Sequence, residues 1–475
     1  MKNPLFLLLS VFLLNSCSSD SESITSEIIE TPNDEVWEVI SIPESIQRTG
    51  DIEIGKDYLF SGNFMSSGIP FAVYNAIYGE NSENPLERTG VNATIAYNYT
   101  SITAANGAQI VAPNCLNCHA AKINDELIVG LGNHSVDFTT NRADLEPVLT
   151  AGIIQFYGLD SPEYEAYEQF KNSIVAIGPK TITESIGVNT ANKITEVLIS
   201  HRDKNTLAWN DTPYITVDEE VIPADVPAWW LLKKKNAMFH TALNRNDFCK
   251  SFIGASLLTL NDITKAVEVD AKMPDVLAYI ESIEAPEYPY AIDEDLATTG
   301  KELFNNTCSN CHGNYDSDDS FYPNSLVSLG TVNTDSELSN HYTETSLLNT
   351  YFFDWFNTGY FGTGENGLLL NAEGGYVAPP LDGVWATAPY FHNASVPTIM
   401  DVLNSENRPE LWSRTFDDSD YDSTKLGWNY TVETSKQNTQ TYDTSLKGYG
   451  NGGHTFGDEL TDSERLAVLE YLKTL

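Results

Sequence analysis

The chain has 475 residues, 41% of them hydrophobic, enough for two or three domains with real cores. Its 26 Lys+Arg stand against 67 Asp+Glu, and the formal charge of −41 excludes nucleic acid as a partner. The same acidity keeps the chain soluble and suits the steering of a basic redox protein.

In chain order, Lys2, the apolar run 5–14 and the small or polar residues before Cys17 predict a leader over 1–16, too short to span a bilayer. Leu14-Asn15-Ser16-Cys17 resembles a bacterial lipobox, which implies export, a lipidated Cys17 and anchoring in the outer membrane, facing the periplasm or the cell surface. An ordinary secretory signal is the alternative. Residues 17–45 are expected to form a flexible tether, because 18–30 is polar and acidic with no apolar period. Helices are expected over 145–154, 162–177, 189–200 and 273–283, where apolar residues recur at mixed three and four spacing. Ala285-Pro286-Glu287-Tyr288-Pro289-Tyr290 cannot continue a helix and sets a domain boundary between 285 and 286. Beyond it, 295–304 reads as a helix, 316–375 as mostly loops, and Thr461-Asp462-Ser463-Glu464 as a capping box opening a terminal helix.

The chemistry is carried by Cys115-Leu116-Asn117-Cys118-His119 and Cys308-Ser309-Asn310-Cys311-His312. This spacing lets two thiols bind the vinyl groups of one haem while the adjacent His reaches the iron, so the chain reads as a cytochrome with two covalently bound c-type haems. With 6 Cys and 8 His in the whole sequence, two such matches are not chance. Of the remaining cysteines, Cys17 follows the leader, and Cys249 stands between Phe248 and Lys250 as a buried thiol. His119 and His312 lie farther apart than one small cytochrome fold spans, so each haem is assigned its own domain, 46–285 and 286–475. The expected fold class is mainly α, with two cytochrome c-like haem domains and long loop-rich insertions. No internal repeat is seen beyond the doubled haem motif. Lys233, Lys234 and Lys235 form a basic cluster suited to haem carboxylates, or else to a solvated face.

Five blocks give the sequence its resemblance: Ala112-Pro113-Asn114-Cys115, Val129-Gly130-Leu131-Gly132-Asn133, residues 225–235, residues 385–393 and Gly453-His454-Thr455-Phe456-Gly457. In these it resembles the exported di-haem oxidoreductases of the bacterial cytochrome c peroxidase superfamily, and most closely the rubber-oxygenase-like branch. The resemblance implies a first haem, on His119, that meets the oxidant, and a second, on His312, that stores or moves an electron. His454 is then the expected second ligand of the His312 iron, with Met400 and His392 as rivals. A tryptophan relay between the haems is implied at Trp230 or Trp229, Trp230 foremost. Tyr376 corresponds to a tyrosine associated with radical chemistry, although a packing role is the plainer expectation. The distal side of the first haem is expected to be lined by Phe239, Arg245 and Phe248; Arg245 would hold a carboxylate or the oxidant, or else pair with Asp247 or Asp262.

The expected function is that of an exported oxidoreductase activating oxygen or peroxide at the first haem. An organic substrate or a redox protein would supply electrons. The alternative is a non-catalytic di-haem electron carrier with both irons six-coordinate.

Overall fold

Two helix crossings, each made over a glycine, frame the chain. The computed structural model describes residues 26–30, 36–316 and 320–475. The leader and its lipobox lie outside the described residues. Helix Ile52–Ser61 lies so close to Met273–Ser282 that a Cβ on Gly55 would sit 1.8 Å from the Asp275 carbonyl oxygen. Helix Glu294–Thr307 meets Asp462–Leu472 in the same way, with the Ala467 carbonyl oxygen 1.8 Å from a Cβ built on Gly300. One turn beyond each glycine, Leu59 and Phe304 are buried. Gly55-Lys56-Asp57 and Gly300-Lys301-Glu302 are therefore a structural repeat, which the sequence reading missed.

The fold is not mainly α. About 38% of it is helix and 13% strand, distributed over several small sheets, so it is mixed α/β. The physical reason lies around the first Cys-x-x-Cys-His motif, which strands enclose on both sides. Gln109–Pro113 leads into it as the central strand of a three-stranded antiparallel sheet with Ile69–Pro70 and Tyr99–Thr103, and Ile110, Val111 and Ala112 are fully buried. The hairpin Ala120–Ile123 to Glu126–Val129 leaves it through a two-residue turn, Asn124 and Asp125, both at positive φ as such a turn requires. The second motif has helical surroundings, following Glu294–Thr307 directly.

The helices expected over 145–154, 162–177, 189–200, 273–283 and 295–304 are found as Glu146–Tyr157, Pro162–Ile177, Ala191–Ser200, Met273–Ser282 and Glu294–Thr307. The capping box at Thr461 and Glu464 is also present. Two expectations need correction. Part of the tether is strand: Val36–Ser41 pairs with Ser26–Glu30 and with Ser325–Val327, and Val39 and Ile42 bury themselves there. The segment 316–375 is not mostly loops, since it carries Leu329–Val332, Glu337–Thr343 and the twelve-residue helix Leu347–Thr358. Phe352, Trp355 and Phe356 of that last helix join the larger hydrophobic core, whose other members include Leu198, Leu257 and Leu277. The smaller core gathers around the second motif and takes in Trp230 and Leu231.

Candidate haem-binding site

Asn114 shapes the first motif. Its side-chain Oδ1 accepts from the Leu116 amide at 2.9 Å, while its Nδ2 donates to the Tyr97 carbonyl and the Thr100 hydroxyl, which turns the strand into the short helical turn Cys115–Asn117. The His119 carbonyl accepts from Gly130, and the Gly130 carbonyl accepts from the Trp229 amide at 2.8 Å. Gly130 thus joins the motif to the tryptophan pair; it has φ +94°, and a Cβ on it would press on Trp229 at 3.3 Å. Trp229 stacks on the His119 ring, centroids 4.6 Å apart and planes 19° from parallel. Burial holds the His119 imidazole neutral, pushing it down to about 3, and its Nδ1 has no hydrogen-bond partner. Asn189 donates to the Cys118 Sγ at 3.3 Å.

The second motif opens on a cavity of about 250 Å³ whose lining includes Cys308, Cys311, His312 and His454. The His312 and His454 ring centroids are 6.2 Å apart. A metal held by both imidazoles, with bonds of ~2 Å and ~1.2 Å from nitrogen to ring centre, needs ring centres ~6.4 Å apart. The observed spacing fits one iron between them. His312 is already oriented for it: Nδ1 donates to the Pro379 carbonyl at 2.8 Å, which leaves Nε2 for a metal. His454 follows Gly453, and both adopt positive φ, 47° and 73° respectively. Arg408 holds this strained turn by donating to the carbonyls of Asn451, Gly453 and His454. Phe391 and Phe456 flank the His454 ring at 5.8 and 5.1 Å. Desolvation keeps His454 neutral as well, down to about 3, with the nearby His312 a smaller cause. Two thiols, two facing imidazoles and an otherwise largely apolar wall are a donor set that fits a c-type haem.

The other expected residues are divided. His392 lines the same cavity, but its ring stacks on Tyr376, centroids 3.9 Å apart, and its Nε2 has no partner. Tyr376 also lines the cavity, with its hydroxyl donating to the Asp335 carbonyl at 2.8 Å. Met400 packs against the smaller core and is not part of the cavity lining. Trp230, only 1% exposed, donates from Nε1 to the Asp382 carbonyl at 2.8 Å, and Asp382 lines the cavity. The adjacent tryptophans of the turn Trp229–Lys234 therefore connect the two motifs, one touching His119 and the other the wall of the second cavity.

Arg245 is engaged within the protein. Its guanidinium is buried and bound to Glu373 at 2.9 Å, and its Nε donates to the Ala242 carbonyl. Neither Asp247 nor Asp262 is its partner: Asp247 pairs with Arg48, and Asp262 caps a helix. The residues that sequence reasoning missed are Pro379, whose carbonyl orients His312, and Arg408, which fixes the His454 turn. Backbone carbonyls leave no signal in a sequence, and Arg408 stands far from the turn it holds.

Residues 375–413 match the family model described as RoxA-like, cytochrome c-like. That stretch contains Pro379, Phe391, His392 and Arg408, so it supplies the parts that arrange the two facing imidazoles. The uncharacterized protein y4iM of Sinorhizobium fredii (strain NBRC 101917 / NGR234) is 24% identical over 325 residues, 58% of this chain and 69% of that protein. The uncharacterized protein y4iJ of the same strain is 38% identical over 125 residues, 24% of this chain; the chain covers 20% of that protein's length. The chain thus contains a cytochrome c-like region, which points to a c-type haem.

Proposed function

We propose that this protein is an exported di-haem c-type cytochrome oxidoreductase of the cytochrome c peroxidase superfamily, in two haem units, 46–285 and 286–475. The observation that carries the reading is the turn Trp229–Lys234, which touches His119 on one side and the cavity of His312 and His454 on the other. The two glycine crossings support the division, since each pairs the opening and closing helix of one unit. When bound, each haem would supply an iron that cycles one electron, and one left open on its distal side would accept oxygen or peroxide. The chain does the positioning. Cys115, Cys118 and His119 would hold the first group; Cys308, Cys311, His312 and His454 would hold the second. Electrons would come from an organic substrate or a redox protein, and a lipid on Cys17 would anchor the protein in the outer membrane. No helix among the described residues is long and apolar enough to cross a membrane.

Haem staining after denaturation, with iron counting, is expected to give two haems per chain. Carbon monoxide should bind one of the two in the reduced protein. His119→Ala should abolish turnover with oxygen or peroxide and leave the second haem's low-spin spectrum, and His454→Ala should turn the low-spin haem high-spin. Absence of carbon monoxide and cyanide uptake in the wild type would favour the electron carrier, with both irons six-coordinate. An unchanged spectrum in His454→Ala would move the ligand to another residue of the cavity wall, His392 first.

A further inference from the structure

The three lysines that follow the tryptophan pair have different fates. Lys233 pairs with Glu284 at 2.7 Å and Lys234 with Asp382 at 2.7 Å. Lys235 lines the cavity of the second motif and has no side-chain hydrogen bond or ion pair among the described residues. A desolvated ammonium without a partner is costly, so such groups are paired in the functional state. Two histidines lie in the same part of the cavity: His240, with Nε2 3.1 Å from the Asp225 carbonyl oxygen, and His392, whose ring centroid is 6.4 Å from that of His240. The Asp225 amide donates to the His392 carbonyl at 2.6 Å, so one residue ties both rings in place. Cys308 packs instead against an apolar cluster that includes Phe304, Val468 and Leu472, which line the same cavity.

We infer that Lys235, flanked by His240 and His392, is a carboxylate-binding subsite that neutralises the haem carboxylates remote from Cys308 and Cys311. The inference rests on the proposed second haem and goes beyond it by assigning the group that sets its charge. A c-type haem carries two carboxylates on the edge away from its thioethers, and Lys235 is the lysine that lines this cavity. Desolvation pushes the Lys235 ammonium down to about 8 and the carboxyl of Asp225, which lines the same cavity, up to about 7. His240 is lowered to about 4 by burial and, secondarily, by Lys235, which puts the two in electrostatic reach. Asp382 also lines the cavity, but its carboxylate is occupied by Lys234.

A cation beside the haem carboxylates favours the reduced iron, so its removal lowers the midpoint potential. In the purified haem-loaded protein, spectroelectrochemistry of the low-spin haem should show Lys235→Gln shifted down by at least tenfold in the one-electron equilibrium, ~59 mV. Lys235→Arg should stay near the wild type, and so should Lys233→Gln, whose lysine is paired with Glu284. Haem count and low-spin spectrum are read on each variant, so failure of the second haem to be present sinks the functional proposal and not merely this one. Two haems with an unshifted potential in Lys235→Gln overturn the subsite. Where Lys235→Gln does not mature, the crystal structure of the haem-loaded wild type decides: Nζ within ~4 Å of a haem carboxylate oxygen supports the subsite, and a greater separation overturns it.

Discussion

Trp229 and Trp230 are neighbours with unlike surroundings, and this difference sets what each substitution should do. Trp230 is packed in the smaller core and donates to the Asp382 carbonyl; Trp229 lies flat against His119. Trp230→Phe keeps most of the ring volume, so the fold and both haem spectra should survive while interhaem electron transfer slows about tenfold or more. Trp229→Leu removes the stack on His119 and should slow the same step. Flash photolysis of the carbon monoxide complex measures it, and unchanged rates in both variants would refute the relay. The Cys-x-x-Cys-His motifs stood out by spacing alone, and the fold sets the second of them on a cavity shared with His454. The pairing of His454 with His312 required a resemblance to suggest it, since it depends on a turn held by a distant arginine. The fate of Arg245 was not legible, because Glu373 lies on a different strand connection and only the fold brings it near.

At the scale of elements, close helix contact at Gly300 leaves no room for a methyl group. Gly300→Ala would place a Cβ against the backbone of Ala467, and overpacking of this kind costs about 1–3 kcal/mol or more. Urea unfolding should show that loss together with a weakened second haem signal; Gly254→Ala, where nothing lies within 4 Å of the added atom, should be neutral or slightly stabilising. Helices with strong local punctuation were readable: Ser161 and Pro162 open one helix and Thr461 with Glu464 another, and both appear as such. Helix Leu347–Thr358 was hidden because its aromatic residues alternate with Asn, Thr and Asp, which favour turns when read locally. Burial of Phe352, Trp355 and Phe356 overrides that preference. The hairpin after His119 was hidden for a different reason: its strands are only four residues long, and Asn124-Asp125 is a weaker turn signal than a glycine-bearing pair.

For the molecule as a whole, acidity of the medium should act through histidines buried neutral. His134 is the clearest case away from the second cavity, with its ring 4.5 Å from Trp428 and its carbonyl accepting from Arg414. Burial first, and then the Arg414 charge, push its imidazole down to about 3. Below its ordinary value of ~6.5, the unfolded chain takes up a proton that the folded chain refuses. The stability present above pH 6.5 is therefore lost as pH falls toward 3, by about 2 kcal/mol between pH 7 and pH 5. Urea unfolding of the wild type and His134→Gln should show their difference moving by that amount, against the wild type, at pH 5; a constant difference would exclude His134 as the cause.

The segment from Leu338 to Tyr376 lies beyond Pro286 in sequence, yet its apolar side chains complete the larger core. The Trp355 indole donates to the Arg202 carbonyl and the Tyr351 hydroxyl to that of Ile199, closing the seam. A ribosome delivers these residues late. Until position 376 has been made, the earlier part of the chain lacks the side chains that cover Leu198 and its neighbours. A gene cut at the proline boundary would thus yield an unfinished core rather than a miniature cytochrome, and the two halves must be matured as one piece.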